Sequence, residues 1–235
     1  YQFLEKCLSA LIASITNRVD CEIIVMDNGS TDETQTVLKQ YKSNSMVRII
    51  KRRKNRGLNA YKRLFMLAKA EYVVVVDDDV LAFPSGIDNL FIDYMQTFRE
   101  FGFLALDVVQ NEFTNGAKPG PDHYTEVSTG SKVVQKGPTG GWCSCFRRSD
   151  FKKIRMKFLF SDLSMKNGED GLLVQLFESK LGLQSGIIKD VVCFHATGPY
   201  YASVYGHLDR EIEKYERAAL SEFVTEYKKY RSKAS

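Results

Sequence analysis

The sequence predicts an α/β fold in which a mostly parallel sheet is covered by helices on both faces. Short apolar runs typical of buried strands, over residues 22–26, 46–50 and 72–76, alternate with segments of helical periodicity. Strands separated by helices pair in parallel, because each crossover returns the chain to the same end of the sheet. With 235 residues, 44% of them hydrophobic, the chain can form one domain over residues 1–235.

The remaining elements follow in chain order. Apolar spacing predicts helices over residues 1–16, 31–41, 58–70, 91–101, 171–181 and, with mixed charges, a long closing helix over 208–230. Strands are predicted over 142–146 and 187–194, whereas 111–141, rich in Gly, Pro, Thr and Lys, is predicted to be an extended loop or lid. A parallel sheet normally begins with a strand, so we expect a first strand to be missing before Tyr1.

Composition points to a cytoplasmic protein. No run approaches the roughly 18 to 20 apolar residues that span a bilayer, and no targeting signal opens the chain. The five cysteines are scattered without metal-ligand or disulfide spacing, which fits a reducing compartment. The net charge is +4, and the basic run over 51–56 is either a solvated loop or a contact for an anionic ligand.

Three consecutive acids, Asp77, Asp78 and Asp79, follow four valines. A valine run indicates a buried strand, and since three carboxylates cannot be buried unpaired, the strand must end there. Strand alternation places Asp77 and Asp79 on one side and Asp78 on the other. Carboxylates together with substrate phosphates commonly bind Mg²⁺ or Mn²⁺. The alternative is a solvated acidic turn.

A second acidic strand end comes earlier, at Asp27-Asn28-Gly29-Ser30. Alone it is equally typical of an Asn-Gly turn with a helix cap. In a parallel sheet, however, both acidic strand ends lie at the same rim, where ligands bind in α/β folds. Together they indicate a nucleotide site.

Further polar residues lie at the start of one predicted helix and at the end of one predicted strand. Glu169 and Asp170 open a helix, where acids are stabilised by the helix dipole and where an ionised carboxylate can serve as a general base. His195 follows a strand, and a neutral imidazole there could complete a metal site with Asp79. The alternatives are a stabilised helix start and a structural histidine. Trp142 is either a core residue or a platform for a sugar ring.

Taken in order, the segments EIIVMDNGSTD, KNRG, VVVVDDDV, GGWCSCFRRSDF, GEDG and HATG resemble family 2 glycosyltransferases of the GT-A fold, from about residue 1 to residue 195. The resemblance implies a Rossmann-like GT-A domain with a nucleotide-binding half (1–110), a smaller acceptor and catalytic half (111–200) and a C-terminal helical extension (201–235). The family's first strand and its Pro-Thr-Tyr-Asn-like turn are absent from the sequence.

The resemblance also implies an inverting transfer from a nucleotide diphosphate sugar, favouring a UDP-sugar, that depends on Mn²⁺ or Mg²⁺. Asp170 would be the general base with Glu169 beside it, while Asp79 and His195 would bind the metal. The implied nucleotide-sugar contacts are Asp27, Ser30, Asn55, Asp77, Asp78 and Trp142. The acceptor would be a glycan, a lipid-linked sugar or a protein, with nucleic acid less expected. The closing helix could form a homodimer, cap the core or approach a membrane.

Other readings stay open from the residues. A phosphatase of the haloacid dehalogenase type would use Asp77 and Asp79, but that motif normally comes near the chain start. A sugar nucleotidyltransferase shares the general fold, but its Gly-rich opening loop with Arg and Lys is not visible, an objection that the missing start weakens. A non-catalytic nucleotide-sugar-binding subunit would not need the Glu169-Asp170 pair.

Overall fold

The structure is a computed structural model that describes residues 1–165 and 168–234. Its helices are α1 Gln2–Ser14, α2 Thr34–Gln40, α3 Ala60–Leu67, α4 Ile87–Thr97, α5 Arg148–Phe160, α6 Glu169–Leu181, α7 Pro199–Val204, α8 Leu208–Arg217 and α9 Ser221–Ala234. Its strands are β1 Ile23–Asp27, β2 Val47–Lys51, β3 Tyr72–Val76, β4 Val80–Ala82, β5 Phe101–Val108, β6 Thr125–Thr129, β7 Lys132–Lys136, β8 Cys143–Arg147 and β9 Gln184–His195.

The fold class predicted from the sequence is confirmed, while the sheet is mixed rather than mostly parallel. In the large sheet the strands are ordered β3-β8-β5-β9-β7-β6, with β4 pairing β9, and β1 and β2 form a separate parallel pair. Only β5 and β9 are parallel within the large sheet's described pairings; β8 runs antiparallel to both β3 and β5. Alternation of strands and helices in the first half predicted parallel pairing, but β8 follows a hairpin, so the chain returns in the opposite direction.

Several elements differ from the sequence prediction. The helix predicted over 91–101 lies earlier, and β5 follows it as a strand buried at every residue. A continuous apolar run does not distinguish a buried strand from a helix, and this explains the error. The loop predicted over 111–141 contains the β6–β7 hairpin, and the closing helix is divided into α8 and α9 by a turn in which Ala219 has a φ of 54°. Helices α5 and α7 were not predicted.

Two apolar clusters cover the two faces of the sheet. One cluster joins α1 and α4 to the sheet through residues such as Ile15, Phe91 and Met95. The other joins α3, α5 and α6 through Phe65, Phe158, Phe177 and other aromatic side chains. Because both faces are covered, polar groups at the strand ends can reach solvent only at the rim of the sheet. Among the described helices, none combines the length and apolar character needed to cross a bilayer.

Candidate active site

The end of β3 and the end of β9 meet at one point of the rim. Strand β4 pairs with β9 so that Val80 lies opposite His195, and the Ala196 amide donates to the Asp79 carbonyl at 2.9 Å. This pairing brings three side chains together: ligand atoms of Asp77, Asp79 and His195 all lie within 4.8 Å of one another. His195 Nε2 is 3.2 Å from Asp79 Oδ1. Asp78 is exposed and lies outside this cluster.

The imidazole of His195 is oriented by a backbone carbonyl. Its Nδ1 lies 3.0 Å from the carbonyl oxygen of Gly116, and since a carbonyl only accepts, Nδ1 carries a proton there. Nε2 therefore faces the carboxylates, as in histidines that bind a metal through one nitrogen and are held through the other. Burial alone would lower the pKa of His195, but the hydrogen bond to Asp79 and the negative charges of Asp79 and Asp77 raise it to about 9.

The three ligand atoms suit a divalent cation. Two carboxylate oxygens and one imidazole nitrogen form a donor set that accepts Mn²⁺ and related ions, with room for phosphate oxygens or water. Burial and then the nearby Asp79 charge raise the pKa of Asp77 to about 7, against the opposing effects of His195 and of the Tyr61 hydroxyl, which donates to Asp77 Oδ1 at 3.1 Å. A cation here would relieve this repulsion, so the residues fit the metal that the sequence implied.

Asp170 lies on the same rim as this cluster. Its Oδ2 accepts from the Gly141 amide at 2.9 Å, and its Oδ1 from the Gly171 amide at 2.7 Å. The next residue, Trp142, accepts through its carbonyl from the Asp77 amide at 2.9 Å. Two consecutive residues therefore connect Asp170 to the acidic end of β3.

Glu169 is the buried member of the acidic pair that opens α6. Only 7% of the residue is exposed. Burial, followed by the charges of Asp77 and Asp170, raises the pKa of Glu169 to about 8, although the Tyr61 hydroxyl opposes the shift. Glu169 is therefore mostly protonated at neutral pH. The resemblance distinguished Glu169 from Asp170 by role only, and the structure also separates them by burial.

Trp142 belongs mainly to the core. The residue is 4% exposed, its Nε1 donates to the Leu106 carbonyl at 2.9 Å, and its ring stacks on His195 with centroids 6.1 Å apart. A Cβ on Gly140 would lie 2.5 Å from the indole, so a glycine is needed to admit the ring. Of the two readings left open, the structure favours the core residue, which also supports His195. Contact between Trp142 and a sugar stays a prediction.

The predicted nucleotide contacts of the first half form a second group. Asp27 is buried, and its two oxygens accept from the Ser30 amide at 2.8 Å and from Gln35 Nε2 at 3.2 Å. Asn28 Nδ2 donates to Asn55 Oδ1 at 3.0 Å, which joins the end of β1 to the basic loop after β2. Ser30 and Asn55 are exposed. The structure thus brings together Asp27, Ser30 and Asn55, and their role in binding a nucleotide stays a prediction.

Sequence reasoning missed residues that contribute to the site through position alone. Tyr61 lies on α3 and approaches both Asp77 and Glu169, but a tyrosine on an amphipathic helix carries no signal of this in sequence. In α8, burial would lower the pKa of Lys214, yet Glu211 and, among lesser contributors, Asp79 raise it. Lys214 of α8 therefore lies within electrostatic reach of Asp79, a proximity that no sequence pattern indicated.

Comparisons with known proteins agree with this geometry. The family model "Glycosyl transferase family 2" matches residues 1–155. A poly(ribitol-phosphate) beta-N-acetylglucosaminyltransferase, TarP of Staphylococcus aureus, is 32% identical over 92 residues, which are 37% of this chain and 28% of that protein. The chain spans about a third or less of the lengths of the curated relatives that it matches.

Two solved structures share the fold. The mannosyltransferase PcManGT from Pyrobaculum calidifontis, in complex with GDP-Man and Mn²⁺, is similar over 99% of this chain and 71% of its own, with a TM-score of 0.62 and 14% identity. S. aureus TarS 1–349 in complex with UDP-GlcNAc is similar over 93% of this chain and 62% of its own, again with a TM-score of 0.62 and 14% identity. Since the family model covers well over half of the residues, the chain belongs to glycosyl transferase family 2.

Proposed function

We propose that the chain transfers a sugar from a nucleotide diphosphate sugar to an acceptor hydroxyl, with inversion at the anomeric carbon and with a divalent cation. One observation carries the proposal: Asp77, Asp79 and His195 converge within 4.8 Å at the rim to which Gly141 and Trp142 also connect Asp170. A cation-binding cluster and a separate carboxylate on one rim suit a reaction that needs both a stabilised leaving group and a base.

Asp79 and His195 would hold the cation, with Asp77 close enough to contribute a third ligand atom. Mn²⁺ or Mg²⁺ bound there would neutralise charge that develops on the departing diphosphate. The neighbour PcManGT was solved with Mn²⁺, which supports the choice of ion. The protein's own part is to hold Nε2 of His195 toward the carboxylates through the Gly116 carbonyl.

Asp170 would take the proton from the acceptor hydroxyl. Backbone amides of Gly141 and Gly171 donate to its two oxygens at the first turn of α6 and hold the carboxylate in place. Glu169, only 7% exposed, would position groups around Asp170 rather than accept the proton. The acceptor oxygen would then displace the nucleoside diphosphate from the anomeric carbon in one step. A single displacement inverts that carbon and needs no nucleophilic carboxylate from the protein.

The donor would bind across the first half of the chain. Asp27, Ser30 and Asn55 would contact the nucleotide, Asp77 and Asp78 the ribose or sugar, and Trp142 would border the sugar. The neighbour TarS was solved with UDP-GlcNAc and PcManGT with GDP-Man. Both complexes support a sugar nucleotide as the donor, and they do not distinguish UDP from GDP. The relative TarP acts on poly(ribitol-phosphate) according to its name, which adds a polyol phosphate polymer to the glycan, lipid-linked, protein and less expected nucleic acid acceptors.

The division into a nucleotide-binding half, an acceptor half and a helical extension is part of the same proposal. The β6–β7 hairpin and α6 would supply the acceptor side, since both lie beyond residue 110. The cytoplasmic location and the homodimer stay predictions.

The test combines binding and turnover. Nucleotide sugars would be screened with and without Mn²⁺ for thermal stabilisation, because a ligand that binds only the folded chain raises its melting temperature. Stabilising donors would then be assayed for metal-dependent hydrolysis or transfer. We expect Asp170→Asn to keep donor binding and to lose transfer, whereas Glu71→Gln, a change of an exposed acid that precedes β3 at the end opposite to Asp77, should keep both. Transfer that survives Asp170→Asn would remove the base, and donor binding without any turnover would favour the non-catalytic subunit.

A further inference from the structure

The outer surface of α5 carries a concentration of positive charge. Helix α5 contains five Lys or Arg and a single acid, Asp150, whereas the whole chain has a net charge of only +4. The rest of the chain is therefore almost neutral. Asp150 is 7% exposed and is paired with Arg147 at 2.8 Å and with Lys153 at 3.0 Å. Its charge is thus already offset, and the exposed side chains of Lys152, Arg155 and Lys157 have no acid of this helix beside them.

Helix α3 lies beside α5 and extends the same surface. The two helices are antiparallel: Asn59 donates to the Leu163 carbonyl at 3.1 Å, Phe65 contacts Phe158 and Phe151, and the Arg148 amide donates to the Glu71 carbonyl. Their inner sides fill one apolar cluster against the sheet. Their outer sides are therefore directed to solvent together, and α3 contributes the exposed residues Arg63 and Met66.

Bulky apolar side chains stand among these cations. Phe160 is 83% exposed and Met156 is 54% exposed. Because they are four residues apart in one helix, they project from the same face. On the opposite face Phe151, Ile154 and Phe158 are buried, so the core already has its apolar residues. Packing of the core therefore does not explain why Phe160 and Met156 are exposed side by side. Adjacent exposed apolar side chains with polar neighbours are typical of an interaction site.

The positive charges are crowded rather than dispersed. Lys180 of α6 lies close enough to Lys157 that its ammonium group lowers the pKa of Lys157. Like charges held together on a surface repel one another and are relieved by an anionic partner. Glu178 and Asp162 are the exposed acids nearest in sequence to these groups, and they do not match the number of cations.

We propose that the outer surface of α3 and α5 docks on an anionic lipid bilayer. Phe160 and Met156 would enter the boundary between headgroups and acyl chains, while Lys152, Arg155, Lys157 and Arg63 would contact lipid phosphates. Peripheral attachment combines these two elements, apolar insertion and attraction to an anionic surface. A nucleic acid would also attract the cations, but it offers no apolar layer into which Phe160 and Met156 could insert. The surface is also formed by the outer sides of two helices and is not a groove.

The experiment is co-sedimentation of the full chain with vesicles of phosphatidylcholine alone or mixed with phosphatidylglycerol. We expect binding only to the anionic vesicles and weakening as salt is added. Reversal of three charges, Lys152→Glu with Arg155→Glu and Lys157→Glu, should weaken binding about 100-fold. Phe160→Ser with Met156→Ser should weaken the part of the binding that salt does not screen, because this part comes from apolar insertion. A matched reversal on other surfaces, Lys39→Glu with Lys42→Glu and Lys229→Glu, should have little effect.

Three results would overturn the proposal: equal partition onto neutral and anionic vesicles or onto neither, equal loss in the matched control, or binding to a single-stranded RNA oligonucleotide without binding to vesicles. Circular dichroism of each variant verifies folding. If a triple variant unfolds, the single changes Arg155→Glu and Phe160→Ser decide in its place. None of these readouts uses sugar transfer, so failure here leaves the proposed function untouched.

Discussion

Two strands of this chain end in aspartate, and the two ends have opposite surroundings. At the end of β1, Asp27 is buried and each of its oxygens accepts a hydrogen bond from within eight residues of sequence. At the end of β3, Asp77 receives the Tyr61 hydroxyl but also faces Asp79 and the buried Glu169. The oxygens of the first carboxylate are satisfied by hydrogen-bond donors, and the second carboxylate is crowded by other acids.

This difference separates an aspartate whose oxygens are partnered by nearby donors from one that is crowded by other carboxylates. A buried carboxylate with its own donors fixes a turn and stabilises the fold. A group of carboxylates held together destabilises the fold unless a ligand neutralises it, and such an arrangement persists where function requires it. In sequence, both are aspartates at the end of a strand. The atoms that surround each carboxylate distinguish them, and only the structure shows those atoms.

The largest expected effect comes from Asp79. Asp79→Asn removes one oxygen ligand and leaves His195 without its acidic partner, so we expect sugar transfer to fall ~100-fold or more. The Mn²⁺-dependent rise in melting temperature should also disappear. Titration of Mn²⁺ in a thermal melt, beside the same titration of Glu71→Gln, measures this. A full metal response in Asp79→Asn would show that the crowded end is no cation site.

A backbone change tests the β1 end next. Gly29 has a φ of +84°, and a Cβ there would lie 2.8 Å from the Asn55 amide nitrogen and 3.0 Å from the Lys54 carbonyl carbon. Both contacts are with backbone, which cannot move aside as a side chain can. Gly29→Ala should therefore lower the free energy of unfolding by about 2 kcal/mol, measured by urea denaturation. Gly171, where a Cβ meets nothing within 4 Å, gives the control Gly171→Ala.

The two aspartates can then be compared directly. Without metal or nucleotide, Asp27→Asn should lower the free energy of unfolding by about 1 to 2 kcal/mol, because a carboxylate that accepts two hydrogen bonds becomes an amide with one acceptor. Asp77→Asn keeps an acceptor for Tyr61 and removes one of the crowded charges, so stability should be unchanged or higher. Urea denaturation in EDTA at pH 8 provides both values. Equal losses in the two variants would contradict the contrast.

The sequence predicted the elements up to β3 well, because strands and helices alternate there with clear hydrophobic periods. It missed β5 because Phe101 to Val108 is apolar at almost every position, so no period of two is visible. Asp77, Asp79 and His195 were each singled out as strand ends, but their approach depends on the pairing of Val80 with His195, across more than one hundred residues. Burial of Glu169 and the approach of Tyr61 depend on packing and leave no pattern in sequence.

The smallest effect concerns Asp88, a third carboxylate, which resembles Asp27 but is only partly buried. It accepts from the Asn17 amide at 2.8 Å and the Thr16 amide at 3.1 Å. Burial alone would raise the pKa of Asp88, but these hydrogen bonds lower it from 3.8. Because its folded pKa is depressed, Asp88 stabilises the fold above about pH 4, and this contribution is lost as pH falls through the folded pKa. Asp88→Asn should cost about 0.5 kcal/mol at pH 7, allowing for solvent screening, and the gap in urea denaturation should close toward pH 3. A gap that stays constant with pH would mean that Asp88 acts through neutral hydrogen bonds alone.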